Sequence, residues 1–360
     1  MQIFRLALTG DMLDVDGALD KRRIGLDRIE PIPYIQYHFL RDLGPSRTDP
    51  GYWERYYSLL ITPRHIADIH GLYVVRPWIK ASTFAEGAAN LVVVGRAGAG
   101  YDKIDVQACT ENDVALFNAP DALTHSTASS ALLLMLALAK RLTAQEKVAR
   151  AGRWDLQSTV QGTEIQRKTL GIVGLGRSGR ELVRLVAPFD MRVLAYSPHA
   201  DPAQAGQLGV ALVTLEGLFR QSDFISLHPS LRPDTRGMIR REHLLLMKPT
   251  AYLVNVARGE LIDQRALVDV LRERRIAGAG LDVFEEEPLP AEHPLVQLDN
   301  VILTPHWLPA TVEAGLAIGL STLGGMMRAA RGEVPEHVIN TEVLDRPGFQ
   351  AKLARFEVNR

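Results

Sequence analysis

The sequence predicts an α/β protein of two domains, each built on a doubly wound parallel sheet, and three observations lead to that fold class. The chain has 360 residues, more than one ordinary domain needs. From Thr169 onward, short apolar runs alternate with helical patterns, as strands covered on both faces do. One such strand runs into Gly174-Leu-Gly-Arg-Ser-Gly179, a GxGxxG sequence that opens a helix. We therefore expect two Rossmann-like domains.

The first 120 residues read as an irregular α/β domain. Residues 72–75 and 91–94 are short apolar runs bounded by turn residues, which predicts buried strands. Residues 31–53 contain four prolines and a cluster of aromatic side chains without clear periodicity. No element is predicted there.

The second part of the chain gives a regular series of elements. Apolar runs predict six strands, at residues 170–173, 192–195, 224–227, 252–255, 279–283 and 301–303. Helical patterns cover residues 181–186, ending near Pro188, residues 215–219, and residues 263–273 with Asp263 as the N-cap. A long apolar-rich helix, residues 312–329, is expected to return to the first domain. The predicted domains are therefore 1–123 with 311–360, and 124–310.

Composition narrows the function classes. The formal net charge is −1, so no overall field attracts nucleic acid or an anionic membrane surface, and neither partner is expected. The single cysteine, Cys109, cannot form an internal disulfide, which predicts a cytoplasmic location and a buried thiol. The most apolar run, residues 131–139, is too short to span a bilayer and predicts a helix buried in a core or a subunit interface. No metal site is predicted.

The glycine sequence has a physical basis as a dinucleotide site. Gly174 permits the tight turn, Gly176 lets the backbone approach a pyrophosphate, and Gly179 allows the helix to pack on the strand. With Arg177 and Ser178 between them, they place free N–H groups and the positive end of a helix dipole at the phosphates. The alternative is a glycine-rich turn that binds nothing.

The end of the second strand bears on the choice of cofactor. An acid is expected there to bind the adenosine ribose, but the chain has Ser197, followed by His199. A serine does not repel a 2′-phosphate as a carboxylate would, and no nearby arginine binds one firmly. NAD is the predicted cofactor and NADP stays possible. Both residues could instead be simple turn residues.

Three polar side chains follow successive predicted strands: Arg258, Glu287 and His306. Carboxyl ends of parallel strands share one edge of a sheet, where ligands bind. Arg258 can hold a carboxylate through two parallel hydrogen bonds, His306 can transfer a proton near neutral pH, and Glu287 can orient the imidazole and raise its pKa. Singly, each has another explanation: a surface ion pair, a solvated acidic run and a capped turn. Together they predict an active site.

A glycine-rich loop, residues 95–102, follows a strand of the first domain. Its glycines let backbone amides, including those of Ala99 and Gly100, point at an anion. The alternative is an ordinary connection between a strand and a helix.

These motifs resemble the D-isomer-specific 2-hydroxyacid dehydrogenase family, over about two-thirds of the chain from Leu91 to Asn340. The spacing fits as well, with 29 residues from Arg258 to Glu287 and 19 from Glu287 to His306. The matching segments are residues 98–105, 118–120 and 169–179, His228-Pro229, Thr235 with Gly237, Lys248-Pro249, and residues 255–260, 280–288 and 304–306.

The resemblance implies a small 2-keto or D-2-hydroxy acid substrate, such as glyoxylate or hydroxypyruvate, bound in a cleft between the domains. Arg258 and the amides of Ala99 and Gly100 would hold its carboxylate, and His306 would protonate its carbonyl oxygen. Asp282 would bind the nicotinamide carboxamide. A homodimer joined through the cofactor domains is also implied. The remaining implied cofactor contacts are His228, Pro229, Thr235, Val256, Ala257, Arg258 and His306.

The chain departs from the family pattern in three places. The Val-Ala-Glu that usually enters the interdomain helix is matched by Thr127-Ala-Ser129, the acid at position 197 is missing, and Trp307-Leu-Pro309 replaces small residues after His306. Trp307 could line the substrate pocket or pack a hinge. The first 60 residues match no family motif.

Two other functions remain open at this point. A nucleotide-sensing interaction protein related to transcriptional corepressors shares the fold and can keep all three site residues. A formate dehydrogenase of related fold is disfavoured, because a glutamine resembles the place of Glu287 in that group.

Overall fold

The computed structural model describes residues 2–14, 17–43 and 51–357. The chain divides into two compact units, Met1–Leu123 with Thr311–Arg360, and Thr124–Ala310. Each unit contains one sheet in which all paired strands are parallel. The predicted α/β class with two Rossmann-like units is confirmed.

The sheet of the first unit has five strands in the order β2-β1-β3-β4-β5. Both predicted strands are present, shifted by one or two residues, whereas β1, β2 and β5 were missed. The strands are β1 Phe4–Thr9, β2 Ile35–Leu40, β3 Gly71–Val74, β4 Val93–Arg96 and β5 Ala115–Asn118, and three short helices are α1 Tyr52–Tyr57, α2 Pro63–Ile66 and α3 Val106–Glu111. Cys109, on α3, is fully buried as predicted.

The sheet of the second unit has seven strands in the order β12-β11-β10-β9-β6-β7-β8. The order reverses beside β6, whose neighbours are β7 and β9, and this is where open α/β sheets bind ligands. Six strands were predicted, and the three-residue edge strand β8 was missed. The strands are β6 Thr169–Val173, β7 Arg192–Tyr196, β8 Val210–Leu212, β9 Phe224–Leu227, β10 Tyr252–Asn255, β11 Gly278–Leu281 and β12 Val301–Leu303.

Seven helices of the second unit are α4 Thr124–Ala139, α5 Leu142–Arg150, α6 Arg177–Val186, α7 Pro202–Gln207, α8 Leu215–Gln221, α9 Arg241–Leu245 and α10 Gln264–Arg272. They cover both faces of the sheet, and each face has its own apolar cluster. The predicted N-cap is confirmed, since the Asp263 carboxylate accepts a 3.0 Å hydrogen bond from the Ala266 amide.

The apolar run at residues 131–139 lies in α4 and belongs to the core, as predicted. The packing is close, because a Cβ on Gly280 of β11 would lie 3.0 Å from the Leu134 Cβ. In the described part of the chain no single helix has the length and apolarity needed to cross a membrane. Helices α4 and α5, bent by 59°, reach that length and composition only as a pair.

The chain ends with α11 Val312–Ala329 and α12 Pro347–Ala354, both in the first unit. The Thr311 side chain caps α11 by accepting from the Ala314 amide. Small residues let α11 lie directly on the first sheet, since a Cβ on Gly325 would be 2.3 Å from the Phe117 ring of β5.

Candidate active site

The glycine turn follows β6 at the point where the strand order reverses. Gly174 has φ +89°. It lies against the loop that follows the neighbouring strand β9, where a Cβ on Gly174 would be 2.9 Å from the Pro229 nitrogen. A Cβ on Gly179 would be 2.4 Å from the Gly174 carbonyl oxygen, so the start of α6 packs tightly on the turn. Nothing lies within 4 Å of a Cβ on Gly176. The turn is therefore tight on two sides and open at Gly176, which fits a pyrophosphate at the start of α6.

His228 connects this turn to β9. Its Nδ1 lies 3.0 Å from the Ser178 hydroxyl and its Nε2 lies 2.9 Å from the Ser226 hydroxyl. Loss of solvent around the ring lowers the pKa of His228 to about 4, so the ring is neutral at physiological pH. A neutral imidazole between two hydroxyls fixes the geometry of the turn without adding charge near the phosphates.

The other residues predicted to contact the cofactor surround the same edge of the sheet. The Thr235 hydroxyl donates to the Ser230 carbonyl at 2.8 Å and closes the loop after β9. Ser197 is half-buried directly after β7, and its carbonyl accepts from the Ala200 amide in a turn that also exposes His199. Arg177 is exposed at the start of α6.

The loop after β10 carries Arg258 and is shaped by Asn255. The buried Asn255 amide group accepts a 3.0 Å hydrogen bond from the Ala257 amide and donates a 2.8 Å bond to the Arg258 carbonyl. The half-buried Arg258 side chain donates to the Ala257 carbonyl at 2.7 Å. Val256 is buried in the core beneath this loop. Sequence reasoning missed the function of Asn255, although its position directly before the arginine was a usable signal.

Gly259 fixes this loop against the next one. A Cβ there would lie 1.9 Å from the Phe284 carbonyl carbon and 2.4 Å from the Glu285 nitrogen. No rotation of a side chain relieves a clash with backbone, so only glycine allows this approach. The Arg258 loop and the loop that carries Glu287 are thereby held together.

Glu287 and His306 form the central pair of the site. Glu287 Oε2 lies 2.7 Å from His306 Nδ1, and Oε1 accepts a 3.1 Å hydrogen bond from the Phe284 amide. Burial alone would raise the pKa of Glu287, but the bond to His306, the Phe284 amide and the Arg258 charge outweigh it and lower that pKa. Glu287 is therefore an ionised partner for the imidazole.

His306 lies in a loop that Asp282 holds in place. Its backbone has φ +51°, uncommon for a residue with a side chain. Asp282 is 1% exposed, and its Oδ1 accepts hydrogen bonds from the Thr304 hydroxyl at 2.6 Å and the Trp307 amide at 3.1 Å. The Trp307 side chain is 57% exposed beside His306.

The glycine-rich loop of the first unit follows β4. Gly98 has φ +130°, and its carbonyl accepts from the Ala119 amide at 3.1 Å. The Asn118 side chain donates a 2.7 Å hydrogen bond to the Ala99 carbonyl. The carbonyls on this side of the loop are therefore bonded to the end of β5, and the Ala99–Gly100 peptide is fixed in one orientation.

The second unit thus joins a glycine turn suited to a dinucleotide, a positioned arginine and a carboxylate–imidazole pair along one sheet edge. This set can bind an anionic group, supply a proton, and stabilise the positive charge of the imidazole while the ring carries that proton. Ala99 and Gly100 belong to the first unit and are not part of that edge.

Comparison with known proteins identifies the family. The model of the D-isomer specific 2-hydroxyacid dehydrogenase NAD-binding domain matches residues 132–307. A glyoxylate reductase of Korarchaeum cryptofilum is 40% identical over 322 residues, covering 88% of this chain and 95% of that protein. The chain belongs to the D-isomer-specific 2-hydroxyacid dehydrogenase family. The second unit is its NAD-binding domain, and the protein is an NAD(P)-dependent oxidoreductase.

Two further proteins show how much of this chain is similar to known proteins. A D-3-phosphoglycerate dehydrogenase of Methanocaldococcus jannaschii is 44% identical over 269 residues, 74% of this chain, and the chain spans about half of it (51%). The solved structure of a glyoxylate reductase of Paecilomyes thermophila superposes with a TM-score of 0.77 at 26% identity. It covers 95% of this chain and all (100%) of the other. The chain is therefore similar to most of one relative and to about half of the other.

Proposed function

We propose that this dehydrogenase reduces a small 2-keto acid, glyoxylate or hydroxypyruvate, to the D-2-hydroxy acid, and catalyses the reverse oxidation. The observation that carries the proposal is the 2.7 Å contact between His306 and Glu287 on the edge that also carries the glycine turn. The names of two relatives, both glyoxylate reductases that the chain matches over nearly their whole length, support a substrate of this size.

His306 transfers the proton in this reaction. Glu287 occupies Nδ1, so Nε2 is the nitrogen that donates to the carbonyl oxygen in reduction and accepts from the hydroxyl in oxidation. The bound nicotinamide supplies or accepts the hydride. Glu287 stays ionised and stabilises the protonated imidazole between turnovers.

Arg258 binds the carboxylate of the substrate. Its planar guanidinium can make two parallel hydrogen bonds, which fix the direction of the keto group as well as its position. The family resemblance assigns the amides of Ala99 and Gly100 to the substrate carboxylate as well. Trp307, which follows His306 in sequence, would line the pocket for the rest of the substrate.

The cofactor is held by the glycine turn and the loops around it. Gly174, Gly176, Gly179, Arg177 and Ser178 would bind the pyrophosphate. Residues after β9 and β10 would line the nicotinamide side, namely His228, Pro229, Thr235, Val256 and Ala257. Ser197 would bind the adenosine ribose without excluding a 2′-phosphate, so both NAD and NADP fit.

Turnover tests this proposal. The absorbance of NADH and of NADPH is followed with glyoxylate, hydroxypyruvate and larger 2-keto acids, and we expect the two small acids to give the highest kcat/KM. Tight binding of NADH without turnover of any acid would contradict the proposal and favour a nucleotide sensor.

We also propose a homodimer joined through the NAD-binding units. Large apolar residues on and after α4 and α5 are at least half exposed: Leu133 at 50% on α4, Leu142 at 55% on α5, and Trp154 at 68% just after α5. Exposed apolar surface of this kind is costly in water unless a partner covers it. Sedimentation of the wild type and of Trp154→Ser should show a dimer that the substitution weakens. A monomeric wild type would contradict this.

A further inference from the structure

A buried carboxylate holds the chain on both sides of His306. Asp282 Oδ1 accepts from the Thr304 hydroxyl before it, at 2.6 Å, and from the Trp307 and Leu308 amides after it, at 3.1 and 3.2 Å. Three donors on one charged oxygen make stronger bonds than three neutral pairs would. These bonds span the turn that carries the imidazole.

The turn needs such a tether. At φ +51° the His306 backbone is in the left-handed region, which is unfavourable for a residue with a Cβ. Its amide reaches only the Thr304 carbonyl, at 3.0 Å and two residues away. The loop conformation therefore depends on contacts outside the loop, and Asp282 supplies three of them.

The two carboxylate oxygens of Asp282 have different surroundings. Oδ2 exposes less than 1 Å² of surface and accepts no hydrogen bond from the described residues. The family resemblance assigns Asp282 to the nicotinamide carboxamide, and Oδ2 is the oxygen left for such a contact. Oδ1 is used by the His306 loop.

We propose that Asp282 is a positioning residue: it sets the direction of the His306 imidazole through the Thr304–Leu308 loop. This rests on the proposed function, in which His306 transfers the proton. Asp282 itself follows β11 and has its amide bonded to the Asn255 carbonyl at 3.0 Å, so the tether is anchored in the centre of the sheet. Placement of the proton donor is thus tied to the strand that carries the Arg258 loop.

Asp282→Asn keeps the shape and one acceptor oxygen but removes the charge. We expect hydrogen exchange of the Trp307 and Leu308 amides to become about tenfold faster or more in the enzyme without cofactor. The turnover number should fall about tenfold or more, while KM for the keto acid and the Kd of NADH stay within about twofold of the wild-type values. The pH profile of kcat should shift, because the Glu287–His306 pair is no longer aligned.

Thr304→Val removes one of the three donors and should show the same changes, about threefold in size. If Asp282→Asn does not fold, Thr304→Val tests the proposal in its place. Ser222→Ala is the matched control, since among the described residues this buried hydroxyl bonds only to the Leu218 carbonyl, at 2.7 Å, and we expect wild-type exchange and turnover.

Two results would overturn the proposal. Unchanged amide exchange with a large rise in the Kd of NADH would make Asp282 a cofactor ligand. Faster exchange with an unchanged turnover number would show that the tether does not place the imidazole. If the wild type turns over no keto acid, the proposed function fails, whereas amide exchange and the ¹⁵N signals of the His306 ring still test the tether.

Discussion

The sheet edges of the two units bear different kinds of functional groups. In the NAD-binding unit, charged side chains after β10, β11 and β12 are fixed by buried polar residues, Asn255 and Asp282. In the first unit, the loop after β4 offers backbone amides, and the Asn118 side chain is bonded to it. We therefore expect the second unit to carry the proton chemistry and the first to affect the binding of the substrate.

The largest effect on this division of functions between the two units is expected from a substitution of His306. His306→Ala should lower the turnover number by about 10²–10⁴-fold, because the proton donor is lost. The Kd of NADH, measured by fluorescence, should stay nearly unchanged, since the glycine turn does not depend on this ring. A variant that no longer binds NADH would contradict the assignment.

Gly259 tests whether the loops of the second unit must touch. Gly259→Ala places a Cβ 1.9 Å from the Phe284 carbonyl carbon, so the loops that carry Arg258 and Glu287 must separate. We expect a loss of stability of about 2–4 kcal/mol in urea unfolding and at least a tenfold lower kcat. Gly206→Ala in α7 is the control, because nothing lies within 4 Å of its Cβ. Equal behaviour of both variants would refute the close contact.

A substitution of Arg258 tests whether the same sheet edge binds the substrate carboxylate. Arg258→Lys keeps the charge but loses the planar pair of donors, so KM for the keto acid should rise about tenfold or more, with a smaller change in kcat. Steady-state kinetics at saturating NADH measure this. An unchanged KM would place the substrate carboxylate elsewhere.

The burial of a strand affects whether it could be predicted from the sequence. Strands β9 and β10 are almost fully buried and read as short, mainly apolar runs, so they were found at their observed bounds. The edge strand β2 is exposed along one side, with Gln36 on its surface and Pro31 and Pro33 just before it, and it shows no run. Exposure explains why β2 was missed but not why β1 and β5 were, since both of those strands are buried.

The site could be predicted in part. Arg258, Glu287 and His306 have chemistry that their residue types reveal, and their positions after strands bring them to one edge. The use of Asp282 Oδ1 by three donors, and the approach of Gly259 to Phe284, depend on distances between loops that no local pattern encodes. Spacing predicts which residues meet but not which of them hold the others.

The neutral histidine behind the glycine turn predicts a dependence on pH. His228 has a folded-state pKa of about 4 against an ordinary value near 6.5, so the unfolded chain binds a proton that the folded chain does not. Stability should be complete above pH 6.5 and fall as the pH drops toward 4. At pH 5 the loss from this group is about 2 kcal/mol. Urea unfolding of His228→Asn at pH 5 and 7.5 should show a smaller difference than the wild type, and an equal difference would contradict it.

The smallest effect is expected at the first unit's edge. Asn118→Ala removes the hydrogen bond to the Ala99 carbonyl and loosens the loop, so KM for the keto acid should rise about threefold to tenfold while kcat stays within about twofold. Asn112→Ala in the same unit is the control. In the part of the chain that the structure describes, its side chain bonds only to the Ala108 carbonyl at the end of α3, at 2.9 Å, and its kinetics should match the wild type. A fall in kcat with Asn118→Ala, at unchanged KM, would mean that the first unit contributes to the chemical step, and the separation of functions between the two edges would fail.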